Sequence, residues 1–413
     1  MNKYSVKTDC VVTPEKHLDS AFLNVQSGRI AGLSAKSSGP IVDLSGTVVA
    51  PALVDAHDHL FGNYFPKIGR NDGSYLNWKP WDDDLKAHPV YKERAHIQPV
   101  DIYRLASYKH ILSGCLTVSD HMPHRVNEPL LDAIKDIPIR IQRKYCLAHE
   151  SSSYDLRWGD GIVFEHRRAV KEKIPFITHI EEGWDEEATK GIDILKVLGS
   201  LTKNTVLIHA IALSDRDIDD IAKARASCVW CPGSNWFMFR KTGQVKKWLA
   251  KKINVSLGTD SPHTGELNML YEARWGRKLY KKIYGSELDS KTLFRMMTIN
   301  PAKALWLDKE TGSLEKGKSA DFIAVRRGAS CKDPWKTIID SDFAAMSLVV
   351  YQGKPVYGDP SRADFFRKAG VPFRKISVTG TPKIIHGDPD ELMKRIRKNV
   401  GFRKEIPFLP VDV

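Results

Sequence analysis

Between Val54 and Thr259 the chain alternates short apolar runs with stretches of helical amphipathic period, a pattern that predicts a parallel α/β fold. Candidate strands are Leu116–Ser119, Ile137–Cys146, Phe176–His179, Val206–His209, Ser227–Trp230 and Val255–Thr259. Several are almost uninterrupted runs of apolar residues, as strands buried on both faces require. Helices are expected between and after them, at Ser214–Ala224 and Lys291–Ala304. No fourth strand can be placed in the polar stretch from His149 to Arg168, so one strand–helix unit is expected to be shortened or replaced.

The two ends read differently. Phe22–Val25, Arg29–Leu33 and Ile41–Leu44 are short strands broken at Ser27-Gly28 and Ser38-Gly39-Pro40. The same texture returns at Asp321–Val325 and Ser347–Tyr351. The expected architecture is a (β/α)₈ barrel over residues 53–304 with a small β-sandwich composed of 1–52 and 305–360. Residues 361–413 are expected to be a basic extension, with a helix capped by Asp388, started by Pro389 and stopped by Gly401.

The net charge of +13 raises the question of an anionic partner. The last 53 residues hold 12 basic against 6 acidic side chains, and no zinc finger, RNA-binding signature or phosphate-binding glycine loop accompanies the excess. A solvated basic surface is the reading adopted, so no nucleic-acid partner is expected. No apolar run is long enough to span a bilayer, and the N-terminus lacks the pattern of a secretion signal. The expectation is a cytoplasmic protein with a small-molecule substrate, its assembly into a homo-oligomer left open. Cys228 and Cys231 form a CxxC without a second ligand pair, and the six cysteines are expected to be free thiols.

The chemistry is concentrated at strand ends. In Ala52-Leu53-Val54-Asp55-Ala56-His57-Asp58-His59 an apolar strand carries two histidines two residues apart, which point to one side while Asp58 points away. An HxH alone is weak, but further ligand types close other strands: His179 after Pro175–Thr178, His209 after Val206–Ile208 and Asp260 after Val255–Thr259. All would lie on the C-terminal rim where barrel active sites are built.

These motifs resemble the amidohydrolase superfamily, and within it the one-metal branch of cytosine deaminase, adenosine-type deaminases and triazine chlorohydrolases. ALVDAHDH, THIEE, LIHA, CPGSN, GTDS, TINPAKALWL and GSLEKGKSADFIAV carry the resemblance, across roughly residues 20–357. It implies that His57, His59, His179 and Asp260 bind one divalent metal, zinc first and iron or manganese next. It also implies that Glu182 moves protons, that His209 holds the attacking water or the substrate, and that Asp260 accepts a proton from that water. Trp78, His121, His149, Asn235 and His263 are further candidates for substrate contact.

Lys144 stands where a two-metal branch would carry a bridging modified lysine, but HxxE and GTDS favour one metal. The function expected through the resemblance is deamination of an aminated nitrogen heterocycle. Hydrolysis of a cyclic amide or another non-peptide C–N bond is the first alternative. A non-catalytic protein binding anions or nucleic acid is the second, disfavoured because a retired site has no need of a full ligand set or of Glu182.

Overall fold

A computed structural model describes residues 1–328 and 332–411. Its centre is parallel sheet. Leu53–Asp58 pairs with Cys115–Asp120, which pairs with Arg140–Ile141. A second parallel sheet follows chain order through Cys146–Glu150, Phe176–Ile180, Thr205–His209, Ser227–Trp230 and Asn254–Leu257.

The first and last of these strands meet beside the candidate site. Asp260 N donates to His57 O at 3.0 Å. Thr259 donates to Asp55 twice, from its backbone N at 3.1 Å and from Oγ1 at 2.6 Å. The opposite junction is made by one run of chain. Gln142 N bonds Val118 O in the first sheet, and Cys146 N bonds Pro175 O in the second. The strand expected at Ile137–Cys146 is therefore two, Arg140–Ile141 and Cys146–Glu150, separated by a polar link in which Arg143 and Lys144 are exposed. No strand forms between Ser151 and Gly161, where the sequence offered none.

The helix expected over Lys291–Ala304 is also two, Ser290–Met296 and Ile299–Ala304. Pro301 lacks an N–H and its ring crowds the carbonyl four residues earlier, that of Met297. Released from the helix, Met297 O accepts Val54 N at 2.8 Å and so buttresses the strand that leads to His57.

The chain ends combine in one eight-stranded sheet, in which Phe322–Arg326 pairs antiparallel with Thr47–Pro51. A four-stranded sheet of Lys3–Lys7, Phe22–Gln26, Arg29–Ser34 and Ile41–Asp43 lies against it. Tyr4, Val6, Leu23 and Val25 from the smaller sheet share one apolar core with Val49, Phe322, Leu348 and Val350 from the larger. The last fifty residues are built into this assembly. Arg374–Val378 and Thr381–Ile385 form the edge of the eight-stranded sheet. The helix Pro389–Val400 starts and stops as its caps predict, with Asp388 accepting Glu391 N at 3.0 Å and Gly401 at φ 84°. It lies on the helix Pro99–Leu112, where Arg395 pairs with Asp101 at 2.7 Å.

Among the described residues no helix is long and apolar enough to cross a membrane. Cys10, Cys115, Cys146, Cys228 and Cys231 are buried and form no disulfide among the described residues, and Cys331 lies outside the described residues.

Candidate active site

Six side chains from four strand ends converge. His57 Nε2 lies 3.3 Å from Asp260 Oδ1, and His59 Nε2 lies 3.5 Å from the same oxygen. His179 Nε2 is 3.3 Å from His57 Nε2, and His209 Nε2 is 3.5 Å from Glu182 Oε1. Ligand atoms of His57, His59 and His179 all lie within 4.8 Å of one another, as do those of His57, His209 and Asp260, and of His179, Glu182 and His209. Gly258 allows the last strand this close, since a Cβ there would stand 2.8 Å from the Cβ of His57.

Backbone strain aims two of the groups. In Thr205–His209, Val206 and Ile208 belong to the small core between the strands, whereas Leu207 packs in the core shared with the helices. Strict alternation would send His209 the way of Leu207. Its φ of 70° breaks the pleat, and the ring stacks 5.3 Å from that of His179. Asp260 is likewise left-handed, at φ 57°. Such conformations cost about 1 kcal/mol or more for a residue with a Cβ and gather at functional sites.

The donor set fits a divalent cation. His179 Nδ1 donates to His149 O at 2.6 Å, and His209 Nδ1 donates to Asn235 Oδ1 at 2.8 Å. Each ring therefore turns a bare Nε2 lone pair towards the centre, and that of His209 is buried without a hydrogen-bond partner. Burial lowers the pKa of His57 to about 4 and holds His179 well below its usual value, so both imidazoles are neutral at pH 7. Burial opposes ionisation of Asp260, but the hydrogen bond from His57 and the surrounding imidazoles outweigh it and hold the carboxyl well below its usual range. Lone pairs and a carboxylate facing one another repel unless a cation occupies their focus. Neutral imidazoles with a carboxylate are the ligands that zinc, iron or manganese accept.

Glu182 has the opposite electrostatics. Burial first, then the nearby Asp260 and Glu150, push its carboxyl well above the usual range and so favour its neutral form. It stands in the loop after its strand, not at the start of a helix.

The other expected contacts divide. His121 lies 4.3 Å from His179, ring to ring, with Nε2 at Ala148 O, and His149 lies 5.2 Å from His179. His263 is set against Trp81 at 4.9 Å and hydrogen-bonded to Ser261. Trp78 borders His149 at 4.8 Å. Asn235 is fully buried and spends its amide oxygen on His209, so the geometry makes it an orienting group rather than the substrate contact expected. Lys144 is exposed, away from the centre.

Sequence reading missed two residues. Trp158 lies 4.5 Å from His149 and 6.4 Å from His59, in a loop whose polar neighbours hid it. Glu150 accepts Trp78 Nε1 at 2.6 Å, its other oxygen is buried without a partner, and burial raises its pKa to about 7. The acid beside His149 was the available signal. In a further cluster, Asp55, Asp58 and His110, the two carboxylates are bonded by Thr259, Lys109 and Asn63 and hold the HxH strand.

Known proteins resemble this chain in sequence and in fold. The amidohydrolase family model matches residues 159–356. A 5-methylthioadenosine/S-adenosylhomocysteine deaminase of Pyrococcus abyssi is 36% identical over 336 residues, 70% of this chain and 76% of the relative. The corresponding enzyme of Thermoanaerobacter pseudethanolicus is 35% identical over 149 residues, and that match spans 35% of each chain. Among solved structures, an adenosine deaminase from Xanthomonas campestris with bound zinc superposes with TM-score 0.71 at 19% identity, covering 95% of this chain and 98% of the other. The fold is thus a TIM-barrel-like α/β fold. The chain belongs to the amidohydrolase family.

Proposed function

We propose that this protein deaminates an aminated nitrogen heterocycle of nucleobase, nucleoside or pterin type by hydrolysis. In this reading residues 53–304 form a (β/α)₈ barrel that holds the site, and the two sheets of the chain ends form a composite β-sandwich. His57, His59, His179 and Asp260 hold one divalent ion, zinc by preference. When bound, such an ion acts as a Lewis acid and lowers the pKa of water from ~16 towards ~7.

The chain's own groups supply the rest. Glu182, whose carboxyl is held well above the usual range by burial beside Asp260 and Glu150, donates a proton to a ring nitrogen as water adds to the amino-bearing carbon. Asp260 accepts a proton from that water. His209, held by Asn235, presents Nε2 to the water or the substrate. Breaking the C–N bond then needs a proton on the departing amine: Glu182, ionised by its first transfer, takes the proton of the newly added hydroxyl and passes it to the amine, so that the C–O bond gains double-bond character as ammonia leaves. Trp78 and Trp158, on either side of His149, offer flat faces to a planar ring, and His121, His149 and His263 offer ring nitrogens to its edge.

One observation carries the choice of deamination: the buried Glu182 carboxyl, pushed well above its usual range by burial, stands 3.5 Å from His209. The deaminase names of the Pyrococcus and Thermoanaerobacter relatives support it. The test is a panel of aminated purines, pyrimidines, pterins and triazines, with cyclic amides alongside, assayed for ammonia release and ring opening. Ammonia from at least one aminated heterocycle is the expected result. Ring opening of a cyclic amide with no ammonia from any amine would overturn the proposal.

A further inference from the structure

At the ends of the strands opposite the candidate metal centre lies a hollow of about 470 Å³ whose charged lining residues are all cationic. Lys203, Arg225 and Lys252 enter it from the loops that precede the strands Thr205–His209, Ser227–Trp230 and Asn254–Leu257. Arg295 and Lys303 complete it from the helices Ser290–Met296 and Ile299–Ala304. No carboxylate among the described residues lines it. Arg295 is paired with Glu15, but Lys203, Arg225 and Lys252 enter no ion pair among the described residues.

A helix C-terminus favours a cation of its own, and four of the five side chains stand at or just beyond one. That accounts for each cation separately and leaves their convergence unexplained. A helix end carries roughly half a negative charge, so four ends offset at most about two of the five positive charges. With Arg295 already paired to Glu15, about two remain, gathered in a concavity that focuses their field. The volume suits a small molecule rather than a groove that tracks a polymer, since ligand sites run ~300–1,000 Å³.

We propose that this hollow is a second binding site, separate from the metal centre, for a small molecule bearing a di- or triphosphate group. The negative charge of such a group meets the uncompensated cations. Lysine and arginine are the side chains that bind phosphate oxygens, the first as a point charge and the second through its fork of donors. The site faces away from the candidate metal centre, so occupancy does not compete with the substrate. The excess positive charge that the sequence left as a solvated surface thereby gains, in part, a ligand.

The test is calorimetric titration of the metal-loaded protein with inorganic tripolyphosphate at about 50 mM salt, with ATP and adenosine as parallel probes. Tripolyphosphate and ATP are expected to bind, and the triple variant Lys203→Ala, Arg225→Ala, Lys252→Ala to bind both at least about tenfold more weakly. All three side chains are exposed, so melting temperatures should show the variant folded. A control variant, Lys394→Ala with Arg397→Ala, should bind like the parent. If ATP binds at least about tenfold more tightly than tripolyphosphate, and that advantage vanishes in the triple variant, the ligand is a nucleotide. Equal affinities point to phosphate alone. No binding of tripolyphosphate, or equal binding by parent and triple variant, overturns the proposal, because the affinity would then come from elsewhere, including chelation of the bound metal.

Discussion

Lys109 Nζ lies 2.7 Å from Asp58 Oδ2, and neither side chain has any exposure to solvent. Asp58 separates His57 from His59 and also accepts hydrogen bonds from His110 Nε2 at 2.8 Å and Asn63 Nδ2 at 3.0 Å. The HxH strand is thus clamped from its outer side by a buried charge network on the helix Pro99–Leu112. Removing one partner of such a pair strands the other in a medium that cannot solvate it. Lys109→Met should therefore destabilise the fold by about 3–5 kcal/mol, read as a lower denaturation midpoint. A change under about 1 kcal/mol would mean that water reaches Asp58.

His110 in that network supports a pH prediction. Burial, with Lys109 beside it, lowers its pKa from the ordinary 6.5 to about 4. Between those values the unfolded chain binds a proton that the folded chain refuses, so stability falls as pH drops from 6.5 towards 4. His110→Gln keeps a donor for Asp58 but does not titrate. The stability advantage of the parent over this variant should shrink below pH 6.5, by at most about 1.4 kcal/mol per pH unit. A constant gap between pH 7 and pH 5, in matched denaturation curves, would assign His110 an ordinary pKa.

Glu182→Gln separates proton movement from binding. The amide preserves size but cannot donate and recover a proton. Metal content and substrate affinity should hold while turnover falls by about 10²–10⁴. Unchanged turnover would remove the proposed acid from the mechanism, and loss of metal would make Glu182 a ligand.

Asn235→Ala frees Nδ1 of His209, so the ring can rotate or take the other tautomer. A loss of about 10–100-fold in turnover is expected, as for other partners of a catalytic histidine, with the fold intact by circular dichroism. Parent-like kinetics would show that the bond at 2.8 Å is dispensable.

Elemental analysis should find about one divalent ion per chain. His59→Ala should lose metal and activity together, whereas Lys144→Ala should lose neither, since Lys144 is exposed and distant from the centre. Two tightly held ions, one of them absent from Lys144→Ala, would place the site in the two-metal branch.

Local pattern was sufficient for whatever depends on near neighbours. Alternation of apolar runs with helical period marked the parallel strands, most of them to within a residue or two. Asp388, Pro389 and Gly401 bounded the last helix because capping is a matter of a few adjacent residues. The motifs at strand ends singled out His57, His59, His179, Glu182, His209 and Asp260, the groups that the fold brings together. Tertiary structure decided the rest, because it depends on groups far apart in sequence. That His209 turns inward rests on a left-handed backbone, a cost only the surrounding packing can impose. Asn235 passed from substrate contact to partner of His209 because their 26-residue separation closes only when neighbouring strands pair. The upward shift of the Glu182 carboxyl comes from desolvation and from Asp260, 78 positions away, neither of which is written in the residues beside it. The terminal segment joined the sheet because Thr381–Ile385 found the edge offered by Lys354–Gly358, and an edge is a property of the assembled sheet.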